Sequence, residues 1–154
     1  MAQRVRSISE LKRVVQNRAS QAVKLTRDEM FRIFQKHINE YYSEKVFKGG
    51  TSAIPFMYDR TYKLLNSLIK TEVVQSGWEI SCKVQIDEDY LNYTYDKGAT
   101  GLDVVKWANE NLHGGTVKGD VEIWNDAFEE LGGKVGILSL LKANLKKCGV
   151  PIIN

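Results

Sequence analysis

A helical period dominates the N-terminal third of the chain. Met30, Ile33, Phe34, His37, Ile38, Tyr41 and Tyr42 fall at i, i+3, i+4, i+7, i+8, i+11 and i+12, which predicts an amphipathic helix from about Arg27 to Glu44. Thr26 and Glu29 have the spacing of a capping box at its start. Ser7 and Glu10 repeat that spacing upstream, and Ile8, Leu11, Val15, Ala19 and Ala22 follow at helical intervals. This first stripe is thin. Residues 1–25 therefore read as a basic helical arm that packs on a neighbour or orders on assembly. Nothing between Lys24 and Arg27 forbids helix, so the arm and the stronger helix can run on as one.

Beyond Gly49 and Gly50, a loop carries Thr51, Ser52 and Pro55. Arg60 to Ser67 reads as a short helix or turn, and then the period falls to two. Leu68 to Gln75 and Trp78 to Asp87 flank Ser76-Gly77, a two-residue hairpin signal. In the second run Trp78, Ile80, Cys82, Val84 and Ile86 share one face, and Glu79, Ser81, Lys83 and Gln85 the other. Tyr90 to Tyr95 reads as a further strand closing at Gly98, and Gly101 to Leu112 as a short helix. A long polar loop with Gly114, Gly115 and Gly119 comes next. The last helix opens at Gly133 with Val135, Leu138, Leu141, Leu145 and Cys148 as its apolar stripe. Lys146 and Lys147 suit its C-terminal dipole, Gly149 suits the position after the cap, and Pro151 stops it. The order predicts an α+β fold in one domain, residues 1–154, with a small antiparallel sheet packed by a long N-terminal helix and a C-terminal helix.

Composition narrows the function classes. The 154 residues, 43% hydrophobic and 27% charged, are ordinary for one globular domain with a core. A net charge of +3 is mild for a dedicated nucleic-acid binder. Arg4, Arg6, Lys12, Arg13 and Arg18 nevertheless concentrate near the start and are the candidates for contact with DNA or an acidic partner. Cys82 and Cys148 fit no metal or redox spacing and read as small core residues, which suits a reducing compartment. The basic N-terminus lacks the apolar run of a secretory signal, and no stretch approaches the roughly 20 apolar residues of a spanning helix. The expectation is a soluble protein made in the cytoplasm, with no membrane partner.

No catalytic set emerges. His37 lies on the apolar side of the predicted helix, where a hydrogen-bonded core or interface histidine is the plain reading. His113 precedes two glycines and could serve as a base, but no serine or cysteine nucleophile has a recognisable context. Asp87-Glu88-Asp89 resembles the start of a calcium loop, yet Asn92 and Gly98 stand where the sixth-position glycine and closing glutamate belong. Lys118-Gly119-Asp120 reverses the order a phosphate loop needs. The sequence thus implies no metal and no cofactor. Seven tyrosines and three tryptophans can stack on bases or anchor an interface. The exposed face of the clearest strand carries no aromatic, which favours the interface.

Tyr58-Asp59-Arg60-Thr61-Tyr62-Lys63-Leu64, followed by Ser67-Leu68, resembles the Tyr-x-Arg-Thr-Gly-x-Leu signature of a neck family of tailed bacteriophages, the head–tail joining or tail-completion proteins. The helical N-terminal third before the motif, the hairpin after it, the tyrosine-bearing strand and the closing helix keep that family's order. Tyr62 stands where the signature has glycine, so a regular helical turn is expected in place of a tight one. The resemblance implies a non-enzymatic virion subunit at the head–tail junction or tail terminus. It would work as a homo-oligomeric ring beside neck, connector or tail-tube proteins. Tyr58, Arg60, Thr61 and Leu64 would then be structural, with Arg60 fixing the turn before the hairpin through a carboxylate or carbonyl. Two rival readings remain: a basic nucleic-acid-binding accessory protein, and a small enzyme built on His113.

Overall fold

The computed structural model describes residues 7–41, 63–91, 100–109 and 122–152. In chain order these hold α1 (Ile8–Tyr41), α2 (Lys63–Ser67), β1 (Leu68–Lys70), β2 (Val74–Ser76), β3 (Glu79–Ser81), β4 (Val84–Ile86), α3 (Gly101–Asn109), α4 (Ile123–Glu130) and α5 (Gly133–Lys147). The fold is α+β, with a small antiparallel sheet region, a long N-terminal helix and a C-terminal helix. Tyr58, Arg60, Thr61, the glycine loops at 49–50 and 114–119, and the stretch from Asn92 to Gly98 lie outside the described residues.

The arm and the stronger helix form one rod. α1 has 34 residues, about 51 Å at 1.5 Å per residue. Ser7 caps it as expected, its hydroxyl accepting the Glu10 backbone N–H at 3.1 Å. Thr26 does not cap a second helix. Its hydroxyl donates to the Ala22 carbonyl one turn back at 3.0 Å, a bond that continuous helix permits, while Glu29 pairs with Arg32 at 2.7 Å.

The hairpin is broken into two paired segments. β1 pairs with β4 and β2 with β3, both antiparallel, with Lys70 opposite Val84 and Val74 opposite Ser81. Three residues on one arm, Thr71 to Val73, thus oppose only Cys82 and Lys83 on the other, which is a bulge. Thr71 shows its cause. Its carbonyl turns to accept the Arg27 guanidinium at 2.6 Å, and its hydroxyl accepts the Lys83 N–H at 2.9 Å. The connecting turn is Gly77-Trp78 rather than Ser76-Gly77, since Ser76 pairs with Glu79. Gly77 has φ of 61°, the left-handed conformation that hairpin turns favour in glycine. Trp78 is consequently a turn residue and 68% exposed, while Ile80, Cys82, Val84 and Ile86 keep the more buried face.

The C-terminal part departs further from the reading of the sequence. The stretch before Gly133 is not all loop, because α4 occupies Ile123–Glu130. On α5 the inward side carries Ile137, Leu140, Leu141 and Asn144, whereas Val135 (75% exposed) and Leu138 (58%) face water. No residue of α5 is fully buried. Its C-terminus closes as expected. The Val150 N–H reaches the Leu145 carbonyl and the Gly149 N–H the Lys146 carbonyl, each at 2.9 Å, with Gly149 at φ of 75°. Tyr90 and Leu91 sit in a turn rather than a strand, the Tyr90 N–H donating to the Asp87 carboxylate at 3.1 Å.

The core gathers at the C-terminal end of α1. Ile38, Tyr41, Leu64, Leu68, Leu91 and Ile123 form one buried cluster, flanked by Phe34, Val84, Ile86 and Trp124. A second cluster joins Ile33 to Ala127 and Leu131, with Ile137 and Leu140 packed on it.

Candidate functional site

Of the motif that carries the phage resemblance, only Lys63 and Leu64 fall among the described residues. The chain is helical from Lys63 to Ser67, and Leu64 is a core residue at 2% exposure. The Ser67 hydroxyl donates to the Leu64 carbonyl at 2.7 Å, and the Ser67 carbonyl accepts the Asp87 N–H at 2.7 Å. These bonds bind α2 to the far end of the hairpin, so this part of the motif sets where β1 begins.

The basic positions near the start have different surroundings. Arg4 and Arg6 lie outside the described residues, and Arg13 is exposed on α1. The Lys12 ammonium lies 4.6 Å from the centre of the Trp78 ring, a cation–π contact with the hairpin tip. Arg18 donates to the Gly149 carbonyl at 3.0 Å, adding a donor to the C-terminal end of α5. Between them the Gln16 amide donates to the Gly77 carbonyl at 2.6 Å. Polar links from α1 thereby fix both the hairpin turn and the end of α5.

Two charged networks tie the rest of α1 down. Arg27, 4% exposed, donates to the Asp28 carboxylate as well as to Thr71, and Lys70 meets the same carboxylate at 2.7 Å. The Lys70 ammonium first, and the Arg27 guanidinium with it, hold the Asp28 carboxyl below its usual range. Further along, Glu130 accepts from Lys36 at 2.7 Å and meets the His37 Nε2 at 2.8 Å. Lys36, then His37, hold the Glu130 carboxyl low. His37 is 8% exposed and also lies 3.4 Å from Glu40, so it is a hydrogen-bonded histidine at the α1–α4 junction.

Two hollows flank the sheet. One of about 300 Å³ lies beneath the bulge, among Val23, Arg27, Met30, Cys82 and Leu141. Burial pushes the Cys82 thiol above its usual range, and both cysteines are free and half-buried. The other is an apolar cleft of about 460 Å³ whose walls include Phe34, Ile86, Leu102, Val105, Trp124 and Phe128. That volume is within the range of roughly 300–1,000 Å³ typical of small-ligand pockets. Leu102 (50% exposed) and Phe128 (40%) stand at its mouth. The polar atoms that would orient a small substrate are sparse here, with Gln85 and Asn125 among the lining residues. Among the described residues no group of three or more His, Cys, Asp or Glu side chains is placed to hold a metal ion.

This cleft is not legible in the sequence because its lining comes from α1, the β1–β4 pair, α3 and α4. A signal for one wall existed: Ile123, Trp124, Ala127, Phe128 and Leu131 fall at i, i+1, i+4, i+5 and i+8. Among the described residues no helix is long and apolar enough to cross a membrane.

No curated protein and no solved structure matches the chain. The YomN family matches it over residues 7–147, which runs from the cap of α1 to the last residue of α5. The chain therefore belongs to the YomN family, whose name derives from a Bacillus phage region, and is a phage-associated protein.

Proposed function

We propose that the protein is a non-enzymatic assembly subunit of a tailed phage or phage-tail-like particle, acting at the head–tail junction or tail terminus as a ring beside neck, connector or tail-tube proteins. The observation that carries this reading is the distribution of large apolar side chains left in water. Ile8 and Trp78 at one end of α1, Leu102 and Phe128 at the cleft, and Val135 and Leu138 on α5 are all exposed. They leave apolar side chains exposed at three places on one small subunit. Such surfaces mark sites of protein association. A ring subunit needs at least two of them, because head-to-tail contacts use different patches on the two partners. The phage association of the family and the motif ending at Leu64 support the same reading. The rival reading, a nucleic-acid accessory protein, needs basic side chains free to meet phosphates. Among the described candidates Arg13 is exposed, whereas Arg18 is engaged with the Gly149 carbonyl.

Quantitative mass spectrometry of particles purified after induction tests the proposal. The expected result is the chain present at a fixed, ring-sized copy number per particle, with antibody labelling at the neck or tail end. Its absence from particles, with the chain abundant in the host lysate, contradicts the proposal.

A further inference from the structure

We propose that two copies of this chain join head to tail, the N-terminal end of α1 with the Gly77-Trp78 turn of one copy seating against the α3–α4 cleft of the next. This rests on the assembly reading above and names the surfaces it would use. The first surface presents Ile8 (88% exposed), Leu11 and Trp78 around Lys12. Ile8 and Lys12 are one turn apart on the same side of α1, so they and the tryptophan form one patch. The second surface presents Leu102 and Phe128 above an apolar hollow of about 460 Å³, open enough to receive side chains of that size.

Charge selects the pairing. Over the described start of α1, Lys12, Arg13 and Arg18 stand against the single acid Glu10. Residues 122–130, which frame the cleft, hold Glu122, Asp126, Glu129 and Glu130 with no base. Only Glu130 among these is taken up by Lys36 and His37, and the Asp103–Lys106 pair of α3 is neutral overall. Two first surfaces would repel, as would two second surfaces, whereas a first against a second attracts. The two lie about 33 Å apart along α1, taking Lys12 and Phe34 as markers and 1.5 Å per residue. The contact is therefore heterologous and propagates into a ring or a chain of subunits. Nucleic acid suits the first surface poorly, because Ile8 and Leu11 would face phosphate, and the acid-rimmed cleft repels it.

Sedimentation of the full chain with charge-reversed variants tests this. Lys12→Glu/Arg13→Glu and Glu122→Lys/Glu129→Lys are each expected to weaken self-association about tenfold or more, and mixing the two variants to restore it. Circular dichroism checks that each variant folds. Independently of charge, Leu11→benzoylphenylalanine is expected to photocrosslink to α3 or α4 of another copy. A chain that stays monomeric at every concentration without such a crosslink overturns the proposal. So does association indifferent to both charge reversals, a Leu11-to-Leu11 crosslink, or DNA binding by the basic end without self-association. If the chain is found in particles while these crosslinks are absent, this pairing fails and the assembly role stands. If the crosslinks form while particles lack the chain, the reverse holds.

Discussion

At the C-terminal end of α1, Ile38 and Tyr41 are shut away from water among Leu64, Leu68, Leu91 and Ile123, while at its N-terminal end Ile8 and Leu11 stand in solvent beside Trp78. The same helix is held by different forces at its two ends. One end is fixed by burial of large side chains. The other is tied by single polar links, from Gln16 to the Gly77 carbonyl, from Arg18 to the Gly149 carbonyl and from Lys12 to the Trp78 ring. Burial holds a fold in place but uses up the surface that does it. Hydrogen bonds to backbone carbonyls position the hairpin and α5 while leaving apolar side chains free. Packing that consumes apolar surface and links that spare it thus coexist on one helix.

The sharpest way to break this comparison is at the buried end. Ile38→Ala is expected to cost about 2–5 kcal/mol of stability, the range for truncating a large aliphatic core residue, read as a fall in the urea midpoint at unchanged slope. If the change costs no more than a surface substitution, the core lies elsewhere. Arg27→Met should be the next largest. It strips the Thr71 carbonyl and Asp28 of a charged donor and is expected to cost about 1.5–3 kcal/mol in the same assay. Gly149→Ala places a Cβ at φ of 75° and 3.2 Å from the Arg18 guanidinium, for an expected loss of about 1–2 kcal/mol. Combining it with Arg18→Ala should give less than the sum, because both act on one joint.

Much of this division is legible in the sequence, and its failures are instructive. The stripe from Met30 to Tyr41 and the alternation from Ile80 to Ile86 follow from period alone, and both keep the buried faces that period gives them, although the strand breaks at Cys82-Lys83. On α5, however, apolar residues occupy more than one side. Leu141, Leu145 and Cys148 of the expected stripe are half-buried, but only the position of α1 decides that Ile137 and Leu140 are covered while Val135 and Leu138 are not. The bulge at Thr71 has a tertiary cause, since the Arg27 guanidinium that turns its carbonyl away is distant in the sequence. The candidate surfaces were hidden for the same reason. The cleft is made by five parts of the chain, and the patch around Trp78 exists only because the turn falls one residue later than Ser76-Gly77 suggests.

Acid should loosen both charged networks slightly. Asp28 and Glu130 titrate lower in the folded chain than in the unfolded one, so their contribution is fully present above the usual carboxylate range and is lost as pH falls through their folded values. The expected observation is a melting temperature that declines on acidification below that range, with a shallower decline in Asp28→Asn and Glu130→Gln. Identical pH profiles in the variants and the parent would remove these pairs from the account. The smallest effect belongs to the exposed end. Ile8→Ala and Leu11→Ala are expected to change stability by no more than about 0.5 kcal/mol. A large loss at either position would show that this end belongs to the core and is not reserved for a partner.

Electron microscopy of lysates from a phage or prophage lacking this gene tests the proposed assembly role. The expected result is filled heads separate from tails, or tails of irregular length, with normal particles restored by supplying the chain in trans. Complete, infectious particles of normal form in the absence of the chain would contradict it.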